Sequence, residues 1–242
     1  MVGMICDKGN FRKTNQDYCG YYEDNNSGIY IIADGMGGHS GGEVASKIAV
    51  TETLQYIKHN ISSDNLGETL KLAITKANSS ILDKAEKNEE LKGMGSTITA
   101  CYIKNNGAVV ANVGDSACFI KFEGQVKKVT KDHSLVQELV DLGNISEEEA
   151  KNHPNKNIIT RALGTNREVE IDTFNIELEN VQKLILCTDG LSNFVTPEDM
   201  LHALDTYDDE QCCRELVELS KRNGSKDNIS IIVFKGEGQY DR

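Results

Sequence analysis

Four aspartates in this chain of 242 residues stand where apolar runs begin or end. Asp34 follows the run GIYIIA (28–33) and precedes Gly35. Asp115 follows AVVANVG (108–114), and Asp189 follows LILCT (184–188) and precedes Gly190. Asp227 stands just ahead of Asn228 and the run ISIIVF (229–234). A strand fixes its terminal residue more firmly than a loop does, and a following glycine lets the chain turn away sharply. If the strand ends converge, so do the carboxylates, and clustered carboxylates repel unless cations neutralise them. An all-oxygen ligand set with no His/Cys cluster selects hard ions such as Mg²⁺ or Mn²⁺ over Zn²⁺. Asp-Gly is also an ordinary turn signal, and spacing alone does not bring the four together in space.

Two other motifs imitate chemistry. The run GMGGHSGG (35–42) has the glycine content of a phosphate-cradling loop. It lacks the Gly-Lys-Ser/Thr ending and the GxGxxG spacing, and reads as a tight turn leading into a helix. Asp132, His133 and Ser134 have the residue types of a hydrolytic triad. Adjacent residues rarely face one another, so Asp132 or Ser134 reads instead as the cap of the next helix.

The elements that must position the aspartates are legible from patterning. Runs rich in β-branched residues predict strands over 28–33, 97–104, 108–113, 117–122, 169–178, 184–188 and 229–234. Asn105-Asn106-Gly107 and Glu123-Gly124 are hairpin signals that favour antiparallel pairing. Apolar residues at helical spacing predict long helices over 43–57 and 66–85, with shorter ones over 134–142 and 210–222. Ser146 with Glu149 makes a capping box, and Thr196-Pro197 reads as an N-cap followed by the first helical residue. This order fits neither a βαβ alternation nor a pure sandwich. It fits a layered α/β arrangement, sheets covered by helices, in a single domain over 1–242.

Composition narrows the function. With 26 basic against 38 acidic residues the net charge is −12, which disfavours nucleic acid and anionic lipid as partners. Cations held in a cleft would still admit a small anionic substrate. The seven cysteines show no CxxC spacing, and most lie in apolar runs, as expected of buried free thiols in a reducing compartment. No stretch approaches the roughly 18 apolar residues of a membrane span, so a soluble cytoplasmic protein is expected.

An ordered set of strings resembles the PP2C-type (PPM) metal-dependent serine/threonine protein phosphatases, in their compact bacterial form. The strings are RKTNQD (12–17), ADGMGGH (33–39), GST (95–97), NVGDS (112–116), DHS (132–134), CTDGL (187–191) and DNIS (227–230). The resemblance implies an α-β-β-α sandwich of two mainly antiparallel sheets flanked by helices. It implies hydrolysis of phosphoserine and phosphothreonine in proteins by direct attack of water activated at a binuclear Mn²⁺ or Mg²⁺ centre. Asp34, with the carbonyl of Gly35, would bridge and ligate the core ions, and Asp189 and Asp227 would complete them. Asp115, with Asp189, would hold a weaker third ion. Asp17 would orient water, and Arg12 would bind the substrate phosphate. Many animal members carry a glutamate where this chain has Gln16, and a histidine where it has Met36. His39 is the nearby candidate to protonate the leaving group. The segment at about 143–163 corresponds to a mobile flap that touches substrate, with Arg161 anchoring its base. Expected partners are phosphorylated proteins, including a serine/threonine kinase, and the expected working unit is a monomer. Two other readings are a non-catalytic scaffold, which would lack a metal aspartate, and a two-metal hydrolase of small phosphate esters.

Overall fold

Side-chain alternation along the strands sets the layering. A computed structural model describes residues 2–37, 41–61 and 63–236. Along β3 (Ser27–Met36), Ile29, Ile31 and Ala33 enter one hydrophobic core while Tyr30 and Ile32 enter another, and all five are fully buried. A strand buried on both faces must lie between two layers. Strand β11 (Ile229–Lys235) repeats the pattern, with Ile229, Ile231 and Val233 in a third core and Ile232 and Phe234 in the one shared with Tyr30. The rings of Tyr30 and Phe234 stack across the shared core with centroids 3.6 Å apart.

The remaining elements complete two antiparallel sheets. One has the order β1 (Gly3–Asp7), β11, β10 (Val181–Cys187), β7 (Ala117–Phe122) and β8 (Gln125–Lys128). The other has the order β2 (Asp17–Glu23), β3, β5 (Ile98–Lys104), β6 (Gly107–Val113) and β9 (Asp172–Glu177), with the short β4 (Gly95–Ser96) paired to β3. Helices α1 (Gly41–His59) and α2 (Leu66–Lys87) cover the second sheet through Ala45, Ala49, Val50, Leu70 and Ile74. Helices α6 (Pro197–Thr206) and α7 (Asp209–Arg222) cover the first through Met200, Ala203, Cys213, Leu216 and Val217. Three short helices, α3 (Leu135–Asp141), α4 (Glu147–Lys151) and α5 (Asp189–Ser192), lie in the connections. The result is an α-β-β-α sandwich, as the sequence led us to expect.

The differences from the sequence reading are local. The strand expected over 28–33 runs on through Asp34 to Met36, because Gly35 and Met36 pair with Ser96 and Gly95 while Asp34 lies opposite Asp17 of β2. The strand expected over 97–104 is interrupted at Thr97, whose backbone N–H turns to the Asp34 carbonyl at 2.8 Å. Strands β1, β2 and β8 were not expected, being edge elements whose exposed positions break the apolar pattern. The two hairpins turn as expected, with Asn105 at φ 54° and Glu123 at φ 50°.

Candidate active site

Each sheet contributes aspartates to the same end of the sandwich. From one sheet, antiparallel register sets Asp17 of β2 opposite Asp34 of β3. From the other, β10 delivers Asp189 as the first residue of α5, and Asp227 sits in the turn entering β11. Asp115 lies in the link from β6 to β7, where the chain crosses from one sheet to the other. Their convergence shows in their electrostatics, since the Asp34 carboxyl feels the charges of Asp17, Asp189, Asp115 and Asp227 together.

The two Asp-Gly steps are built alike. A Cβ on Gly35 would stand 1.9 Å from the Gly42 carbonyl oxygen, and one on Gly190 would stand 1.9 Å from that of Asn228. In both places another backbone segment packs against the glycine, so the aspartate just before it is held by main-chain contact. The Gly190 carbonyl also accepts hydrogen bonds from Ser220 Oγ at 2.6 Å and Ser225 Oγ at 2.9 Å.

Small hydroxyl and amide side chains brace this arrangement. Thr188 Oγ1 donates to Asp17 Oδ2 at 2.9 Å and accepts from Ser230 N–H at 3.0 Å, tying β10, β11 and β2 together. The Asp34 N–H donates to Thr97 Oγ1 at 2.9 Å, and that hydroxyl shares a 2.9 Å hydrogen bond with Ser116 Oγ, beside Asp115. Asn228 pins the loop that carries Arg12: its Nδ2 donates to the carbonyls of Lys8 at 2.8 Å and Thr14 at 3.0 Å, and its Oδ1 accepts from Gln16 N–H at 2.9 Å. The Gln16 carbonyl in turn accepts from Gly35 N–H at 3.0 Å and Ser46 Oγ at 2.6 Å. The quoted motifs contained these residues, but composition gave no reason to single out Thr188, Thr97, Ser116 or Asn228. The available signal was that each is a small polar residue adjoining an aspartate or an apolar run.

Burial and mutual repulsion hold the carboxyls in their protonated form more strongly than usual. Desolvation raises Asp34 and Asp17 well above the ordinary carboxylate range, with neighbouring charge adding to it. Asp115 is raised to about 7 by burial, then by Asp189 and Asp132. Asp189 is raised to about 6 by burial and then by Asp227. Arg12 brings positive charge into this field: its Nη2 meets Asp227 Oδ2 at 2.7 Å, and its own pKa is raised chiefly by that hydrogen bond. Asp17 Oδ1 and Asp189 Oδ1 are buried without any hydrogen-bond partner. Orphaned carboxylate oxygens within an all-oxygen donor set are what a hard divalent cation satisfies, so the residues fit such ions. As the side chains stand, no three or more His, Cys, Asp or Glu groups among the described residues are drawn in far enough to close round an ion. The carboxyls share a field but remain open.

The other expected site residues fall as follows. His39 lies outside the described residues. His133 does not act with Asp132 and Ser134: Asp132 pairs with Lys128 at 2.7 Å, and Ser134 caps α3 by accepting from Gln137 N–H at 3.3 Å. The His133 ring instead accepts from Gly114 N–H through Nδ1 at 3.1 Å and faces Asp172 through Nε2 at 3.2 Å. The segment at about 143–163 holds α4, whose Ser146–Glu149 capping box forms, and neither α3 nor α4 has a buried residue. Arg161 ties the end of this segment to Asp172 at 2.8 Å and Glu170 at 3.0 Å, and Leu163 bridges to Ser96.

Solved structures share this architecture. Serine/threonine phosphatase Stp1 from Staphylococcus aureus superposes with a TM-score of 0.87 at 34% identity, over 98% of this chain and 95% of that one. The catalytic domain of the serine/threonine protein phosphatase PstP, solved in complex with two manganese ions, superposes with a TM-score of 0.84 at 33% identity, over 96% of each chain. Fold and carboxylate cluster together therefore define a phosphatase of the layered, two-sheet class. Residues 12–225 match the model of protein phosphatase 2C, and the chain belongs to that family. Among curated relatives, serine/threonine phosphatase stp of Listeria welshimeri is 38% identical over 240 residues, covering 95% of this chain and 93% of that protein.

Proposed function

We propose that this enzyme removes phosphate from serine and threonine side chains of proteins, using divalent ions held by Asp34, the Gly35 carbonyl, Asp189 and Asp227. The observation that carries this reading is the set of aspartates from separate elements that meet in one field, two of them with buried, unpartnered oxygens. Manganese is bound by the relative PstP, and the same donor chemistry admits Mg²⁺. Asp115 is assigned a third, weaker ion. Bound there, the ions supply acidified water and neutralise charge on the phosphoryl group.

The chain's own residues orient, bind and transfer protons. Asp17, fixed through Oδ2 by Thr188, keeps Oδ1 available to align a water molecule. Arg12 is half exposed and tethered to Asp227, so its guanidinium stands at the mouth of the site, where a phosphate dianion would meet it. Gln16 adds a polar side chain without the charge a glutamate would bring. His39 is assigned the proton for the leaving oxygen on its place in the sequence alone.

The flap assigned to about 143–163 borders the substrate, and the absence of buried residues in its helix favours motion there. Phosphorylated proteins are taken as the substrates, opposition to a serine/threonine kinase as the role, and a cytoplasmic monomer as the working form. Among the described residues no helix is long and apolar enough to cross a membrane.

The test is hydrolysis of a phosphothreonine peptide with Mn²⁺, with Mg²⁺ and with EDTA. Activity is expected with the ions and none with the chelator, and Asp34→Asn is expected to abolish turnover while the circular dichroism spectrum stays native. Turnover that survives EDTA or the substitution overturns the metal assignment. Hydrolysis of small phosphate esters with no action on the peptide overturns the substrate class.

A further inference from the structure

His133 is buried and takes no part in the chemistry assigned to the other site residues. Its backbone nevertheless joins two parts of the site. The His133 N–H donates to the Gly114 carbonyl at 2.9 Å, and the His133 carbonyl accepts from Thr160 N–H, near the end of the flap segment, at 2.8 Å. The ring makes a similar span. Nδ1 accepts from Gly114 N–H at 3.1 Å, so Nε2 carries the ring proton and turns it to Asp172 Oδ2 at 3.2 Å. Arg161 Nη1 lies 3.2 Å from Nε2 and donates to the other Asp172 oxygen, Oδ1, at 2.8 Å. Asp172 stands opposite Asn112 in the β6–β9 pairing, so the sheet itself places the carboxylate that fixes the imidazole.

Gly114 is thereby held at both ends of its own backbone, since its carbonyl also accepts from Asn112 Nδ2 at 3.2 Å. Asp115 is the next residue. Strand β6 ends at Val113 and β7 starts at Ala117, so sheet pairing does not fix the three residues between them. Side chains must do so.

We propose that His133 is a positioning residue for Asp115: the neutral ring, clamped by Asp172, holds the Gly114 N–H and through it sets the direction of the Asp115 side chain. This role rests on the reading of Asp115 as the ligand of the third, weaker ion. A buried N–H left without its acceptor costs about 1–3 kcal/mol, and that penalty keeps the link on the ring and in one conformation.

The experiment compares two substitutions that each keep one end of the ring. His133→Asn puts an amide oxygen where Nδ1 stands and gives up the reach to Asp172. His133→Gln puts an amide nitrogen where Nε2 stands and gives up the acceptor beside Gly114. Hydrogen exchange of the Gly114 amide, followed by NMR on the metal-free protein, is expected to be at least ~10-fold faster in His133→Gln and to stay near the wild-type rate in His133→Asn. Mn²⁺ titration, read from the paramagnetic resonance of free ion, is expected to show the weakest ion bound ~10-fold less tightly in His133→Gln, with the tighter ions unchanged. His133→Asn is expected to restore the wild-type curve. A side chain that only fills space would give no such split. Wild type alone supplies another check: nitrogen shifts of the His133 ring are expected to show the proton on Nε2. The proposal is overturned if Nδ1 carries the proton, if the two variants behave alike, or if His133→Gln frees the Gly114 amide without weakening the weakest ion. Asp115→Ala separates this role from its premise. If Asp115→Ala abolishes the weak phase and His133→Gln leaves it intact, the role of His133 fails and the third ion stands. If Asp115→Ala leaves the weak phase intact, the third-ion reading fails and this role falls with it.

Discussion

Removing a carboxylate from the site should stabilise the metal-free protein. Asp189 is raised from 3.8 to about 6 in the folded chain, so the folded form holds this proton more tightly than the unfolded form does. The sign follows from linkage: the contribution is fully present below about pH 4 and is lost as pH rises through about 6. At about 1.4 kcal/mol per pKa unit the full effect is about 3 kcal/mol. Asp189 is half-buried by surface area and shares its field with Asp227 and Arg12, which leaves ~1–2 kcal/mol for a single substitution. Asp189→Asn removes the titration and keeps the shape. Urea unfolding of both proteins in EDTA, from pH 4 to pH 8, reads the difference directly. The gap is expected to be near zero at pH 4 and to grow until the variant is more stable by ~1–2 kcal/mol at pH 8. Adding Mn²⁺ at pH 8 should reverse the order, because only wild type gains full binding energy. A gap that is flat with pH, or a variant less stable than wild type at pH 8 in EDTA, would refute the reasoning.

Three further outcomes follow from the contacts. Thr188→Val strips the buried Asp17 of its hydroxyl donor and should cost ~1–3 kcal/mol in urea unfolding while lowering kcat ~10-fold or more. A turnover number equal to wild type would detach Asp17 from the chemistry. Gly190→Ala drives a methyl group against the Asn228 carbonyl, so a loss of ~3 kcal/mol or more is expected by thermal melting, together with weaker Mn²⁺ binding by calorimetry. Arg12→Ala should raise KM for a phosphopeptide ~10-fold or more through loss of a charged phosphate contact; an unchanged KM would remove Arg12 from substrate binding.

What the sequence made legible, and what it did not, divides along physical lines. Strands β3, β5, β6, β7, β10 and β11 could be read because burial leaves an unbroken apolar record in the chain, as in Ile29–Ala33. Helices α1 and α2 were legible because one face of each is buried while the other stays polar. The edge strands β1 and β2 left no such record, so the placement of Asp17 opposite Asp34 could not be derived from patterning. The same holds for Arg12 with Asp227, whose contact spans 215 residues of sequence and depends on two loops meeting. Asp34, Asp189 and Asp227 stood out because carboxyl groups beside apolar runs are chemically conspicuous. Their hydroxyl and amide supports did not, since threonine and asparagine occur in any turn. Cys6 and Cys19 were grouped with the buried thiols because exposure at a sheet margin is a tertiary property.

The crossing of the chain between sheets at Asp115 bears on how the protein assembles. Asp17 and Asp34 ride on one slab, Asp189 and Asp227 on the other, and Asp115 on the crossing between them, and the Tyr30–Phe234 stack forms only when the slabs dock. A folding intermediate with a single slab in place therefore presents only part of the cradle. Cations have little to grip until docking is complete, so they reward the finished assembly and give no advantage to partly built forms. Ion uptake during refolding should for this reason coincide with closure of the central layer, and the appearance of activity should mark the last step of folding.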